Sequence, residues 1–76
     1  MSFRYNIEVR VDTTVHQVGG FDSARAAAAA SHVEASFFGQ PTGINLSVAQ
    51  IQWAIEAGAS EIPVRDADPE ITVLVS

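Results

Sequence analysis

His16 and His32 are the two imidazoles that this sequence offers for proton transfer or metal ligation, and there is no cysteine to join them. Ser31, His32 and Glu34 fall close together, which invites a nucleophile, base and carboxylate reading. On a helix, however, adjacent residues point in different directions, and a triad needs its imidazole between the other two groups. The flanks of His16 and His32 show none of the spacing of a zinc site, and two imidazoles would still need a carboxylate. Asp66, Asp68 and Glu70 imitate the opening ligands of a calcium loop. Pro69 stands where the glycine turn should be approaching, and no acid follows at the twelfth position, the last residue being Ser76. Gly19-Gly20 is not set in the strand-then-phosphate-loop sequence that would give it meaning, and no lysine exists to meet a phosphate. A cleft that desolvates an acid and holds a substrate is hard to build in 76 residues that must also supply a core. The expectation is a protein that is not an enzyme and uses no metal and no cofactor.

Two sets of residues suit binding better than catalysis. If the segment from Val48 onward is helical, Val48, Ile51 and Ile55 make one stripe, and Trp53 lies about 140° away from Val48. One helix cannot turn both toward the same sheet. Trp53, with Ala49 and Ala57 beside it, then has three uses. It fills space against the alanines of another helix, it lines a ligand pocket, or it contacts a protein partner or a second copy, where tryptophan is enriched. Phe37 and Phe38 are further bulky candidates for such contact. The second set is acidic: Glu56, Glu61, Asp66, Asp68 and Glu70 follow one another with Arg65 as the nearby base. Glu61, Asp66, Asp68 and Glu70 suit a face that occupies a basic groove of another protein, and equally suit a solvated turn.

The elements that must position these residues are legible in the patterning. Phe3, Tyr5, Ile7, Val9 and Val11 alternate with Arg4, Asn6, Glu8 and Arg10, which is a strand with one buried face. A turn at Asp12-Thr13 leads to a second, antiparallel strand, Thr14 to Val18, with Gly19-Gly20 expected to end the extended region. Asp22 or Ser23 caps a helix from Ala24 to Phe38, rich in alanine and stopped by Gly39 and Pro41. Pro41 to Asn45 connects, with room for a very short strand. Ser47 and Gln50 have capping-box spacing and Leu46 and Ile51 that of a hydrophobic staple, so a second helix runs to about Ala57 and stops at Gly58. A short strand near Ile62 to Arg65 belongs at an edge because Pro63 cannot donate to a ladder. A turn through Asp66 to Pro69 and a closing strand, Glu70 to Val75, finish the chain.

The order ββααββ predicts an α+β two-layer sandwich: three or four strands, antiparallel or mixed, with both helices on one face. Seventy-six residues, 47% hydrophobic and 17% charged, make one domain, 1–76, expected to be globular and soluble. Nine acids oppose four arginines for a net charge of -5, which disfavours direct nucleic-acid binding. No apolar stretch reaches the length of a membrane span, and the charged, alternating first residues do not read as a signal segment, so a cytoplasmic location is expected. Without cysteine there is no disulfide framework. The function expected is an acidic protein-binding module, an inhibitor occupying a basic surface being one form of it. The alternatives are a structural homo-oligomer in which Trp53, Phe37 and Phe38 bury one another, and a small enzyme with a site between subunits.

Overall fold

The computed structural model describes residues 2–39 and 43–76. Its elements follow the order β1 (Tyr5–Val11), β2 (Thr14–Phe21), α1 (Ala24–Phe38), α2 (Val48–Glu56), β3 (Glu61–Val64) and β4 (Ile71–Val75). All three strand pairs are antiparallel, in the spatial order β2-β1-β4-β3, so the closing strand lies between the first strand and the short one. Both helices cover the same face of this sheet. The α+β sandwich expected from the element order is thus present, with four strands and an entirely antiparallel sheet.

Alternation decides which face is covered. Ile7 and Val9 of β1, Ile62 and Val64 of β3, and Ile71 and Val73 of β4 are buried, and the residues between them turn outward. Thr72 is buried on the far face, between Arg10 and Pro63 in register. The β1–β2 turn is the expected Asp12-Thr13. Asp12 adopts a positive φ of 53°, which aspartate tolerates better than most residues. Its carboxylate accepts from the Glu70 amide at 3.1 Å and its own amide donates to the Glu70 carbonyl at 2.7 Å, tying the hairpin to the start of β4.

Gly19-Gly20 does not end β2; the strand continues through both to Phe21. Ile7 faces Gly19 while Glu8 faces Gln17, so Val18 is an extra residue and forms a bulge with Gly19, while Gly20 pairs in register with Asn6. Gly19 has φ 148°, and a side chain on Gly20 would collide with the ring of Phe3. Glycine in a strand marks an end, a bulge or a close approach, and here Gly19 serves the bulge and Gly20 the approach of Phe3.

Ser23 caps α1, its hydroxyl accepting from the Ala26 amide at 3.1 Å. Ala24, Ala27, Ala28, Ser31 and Ala35 form the buried stripe, at helical spacing. The small side chains let α2 pack close, and Ile51 and Ile55 join Ala24, Ala27, Ala28, Ile7, Ile62 and Val73 in one core cluster. Burying Ile51 and Ile55 contributes on the order of 1.5–3 kcal/mol each. The capping box of α2 is complete: the Gln50 amide donates to Ser47 Oγ at 3.2 Å, and the Ser47 amide to Gln50 Oε1 at 2.8 Å. Leu46 packs on the same cluster as Ile51, as a staple requires. The helix ends at Glu56 with Ala57 as its C-cap, followed by Gly58 at φ 89°. Between the helices Gly43 to Asn45 form no strand; Gln40 to Thr42, where the proline stop and part of the connection were expected, lie outside the described residues.

Candidate functional site

The outer surface of the helical layer follows from what the core takes. With Ile51 and Ile55 turned in, Ala49, Gln50, Trp53, Glu56 and Ala57 are left on the opposite side of α2, all exposed. Trp53 is 76% exposed. The two helices do pack against each other, but its ring takes little part in that contact. The same subtraction on α1 leaves Arg25, Ala26, Ala29, Val33 and Phe37 exposed, with Val33 at 69% and Phe37 at 70%. Both helices therefore carry outward stripes of apolar side chains, interrupted by few charges. Phe38 is turned differently. Its ring stacks on His16 of β2 with centroids 4.4 Å apart, and Phe37 meets Phe38 edge-on at 5.4 Å.

The acidic set does not share one surface. Glu61 points to the sheet face away from the helices, where it pairs with Arg10 at 3.6 Å. Asp66, Asp68 and Glu70 are exposed at the β3–β4 connection, and the Asp12 to Glu70 bonds bring a further acid to that end of the sheet. A cleft of about 510 Å³ lies nearby, lined by Asn45, Leu46, Gln50, Pro63, Arg65 and Asp66. Its glutamine oxygen is already engaged in the α2 cap.

Ser31 cannot act as a nucleophile in this arrangement: it is fully buried and its hydroxyl donates to the Ala27 carbonyl at 2.6 Å. Among the described residues no three His, Asp or Glu side chains gather in a way that would hold a metal ion. No helix among them is long and apolar enough to cross a membrane.

Comparison with protein-family models, curated proteins and solved structures finds no match.

Ala29 and Val33 belong to the outward apolar stripe and were not among the residues singled out from sequence. The signal was present in the spacing of Ala29, Val33 and Phe37 at i, i+4, i+8. The alanine run masked it, because alanine on every face says nothing about which face is buried. Asp12 was likewise read as a turn residue only, since its partner Glu70 is distant in sequence and becomes a neighbour through the β1–β4 pairing.

Proposed function

We propose that this chain is a non-enzymatic protein-binding module that docks a partner on the outer face of its helical layer, with Trp53 as the anchor. The observation that carries this reading is the exposure of Trp53 on a regular, capped helix, flanked by Ala49 and Ala57. An exposed tryptophan among small side chains offers a large apolar contact that loses little conformational freedom on binding, and such residues dominate interface energetics. Val33 and Phe37 on α1 extend the apolar surface beyond one residue.

A partner with a basic surface fits best. The net charge of -5 and the acids Asp66, Asp68 and Glu70 would speed encounter with it, while the apolar stripe holds the complex. An inhibitor that covers a basic groove is one form this takes. The test is parallel capture from native host extract on immobilised wild type, Trp53→Ala and Phe37→Ala, followed by titration of the purified captured protein. Trp53→Ala is expected to weaken that complex by about 2 kcal/mol or more, roughly thirtyfold. Equal affinity for wild type and Trp53→Ala would remove Trp53 from the interface.

A further inference from the structure

The sheet has two edges, and they are finished differently. At β3 the edge is four residues long and holds Pro63. The Val75 amide donates to the Ser60 carbonyl at 2.9 Å, and the alternation of an antiparallel ladder then makes Val73–Ile62 and Ile71–Val64 the bonded pairs. Pro63, opposite Thr72, is thus a residue whose amide would point outward, and it has none. Charged Glu61 and Arg65 flank it. These are the devices that keep an edge from pairing with another chain.

On β2 the bulge at Val18 is one such device, and the stretch before it, Thr14 to Gln17, carries no other. The strand is eight residues long and contains no proline and no charged residue. Asn6 and Ser76 exchange both backbone bonds, at 2.8 and 2.9 Å, so the even-numbered residues of β1 bond to β4 and the odd-numbered ones face β2. Val9–His16 and Val11–Thr14 are then bonded pairs, and the backbone amide and carbonyl groups of Val15 and Gln17 point away from the sheet. No described strand lies beyond them. The Val15 side chain is 47% exposed, and on the helix side of the same strand His16 carries the Phe38 and Phe37 rings. An unpaired backbone edge and a half-buried stack of His16 and Phe38 thus stand at one place.

We infer that β2 pairs with β2 of a second copy of this chain, antiparallel about a two-fold axis at His16. Val15 of each copy then exchanges both backbone bonds with Gln17 of the other, and the sheet runs continuously through the dimer. Three observations favour a copy as the occupant. The outward groups of Val15 and Gln17 are mutually complementary under that axis, as an isologous contact requires. The paired stretch, Thr14 to Val18, carries no charged residue, so two chains of charge -5 meet there with no acid facing an acid. Finally, His16 lies on the axis, so the Phe38 rings stacked on the two imidazoles flank it. Backbone bonds alone would leave such an edge weak, and the rings supply the apolar burial. Both helical layers end on the same side of the joined sheet, so the two Trp53 faces are presented together.

Amide hydrogen exchange on the wild-type protein at high and low concentration tests this pairing. The Thr14 and His16 amides, bonded to β1, are expected to be protected at both. Those of Val15 and Gln17 are expected to gain about tenfold or more in protection at high concentration only. Val15→Pro removes one outward donor without touching a bond to β1, and sedimentation should find it monomeric where the wild type is dimeric, while Trp53→Ala stays dimeric. Val15 and Gln17 amides that exchange freely at every concentration would overturn the inference, as would a dimer that survives Val15→Pro.

Discussion

Replacing Trp53 with alanine separates an interface residue from a core residue by magnitude. A buried tryptophan removed from a core costs about 3–5 kcal/mol of folding stability. Trp53 keeps only about a quarter of its surface covered. With aromatic side chains burying up to about 250 Å², that is roughly 60 Å² of contact, or about 1.5 kcal/mol at about 25 cal/mol per Å². Alanine is the better helix former by a few tenths of a kcal/mol, which offsets part of this. The net loss expected is about 1 kcal/mol. Urea unfolding followed by far-ultraviolet circular dichroism reads it without the indole signal, at a concentration where the wild type is monomeric. With a slope near 1 kcal/mol/M for so small a protein, the midpoint should fall by about 1 M. A loss above about 3 kcal/mol would show that the ring supports the monomer fold and would return Trp53 to the core.

Ser47→Ala removes the acceptor for the Gln50 amide in a helix of nine residues, and should lower stability by about 0.5–2 kcal/mol in the same unfolding assay. Asp12→Ala loses both the bond to the Glu70 amide and the aspartate's tolerance of positive φ; thermal unfolding should show a loss of about 1–2 kcal/mol, and Asp12→Asn, which keeps the acceptor and the backbone preference, a smaller one. Reversing Asp68 and Glu70 to lysine, and leaving Asp66 at its positive φ of 58°, should slow association with a basic partner and flatten its salt dependence, measured by stopped flow, with the circular dichroism spectrum unchanged.

What could be seen in the sequence was what short-range physics specifies. The alternation of β1, a cap for α1 at Asp22 or Ser23, the Ser47 cap of α2, and the position of Pro63 on an edge all rest on residues within a few places of one another. The two helices on one face and the angular separation of Trp53 from Ile51 and Ile55 follow from helix period. Strand order was not visible, because the pairing of β4 with β1 joins residues from opposite ends of the chain and leaves no local mark. Gly19-Gly20 misled for a related reason: the need for glycine there comes from Phe3 lying over Gly20 and from a bulge against Ile7, contacts that no reading of the immediate neighbours contains. The acidic cluster was contiguous in sequence, yet the pleat sends Glu61 to the far face and the β1–β4 pairing brings in Asp12.

The claim that a partner sits on Trp53 is tested most directly by reporting from the indole itself. Trp53 is the one tryptophan, so fluorotryptophan incorporated into this chain labels that position alone. Titration with the captured, unlabelled partner should shift its fluorine resonance and reduce its exposure to a soluble paramagnetic probe in step with binding. Saturable binding that leaves the resonance and its solvent exposure unchanged would place the partner elsewhere and contradict the account.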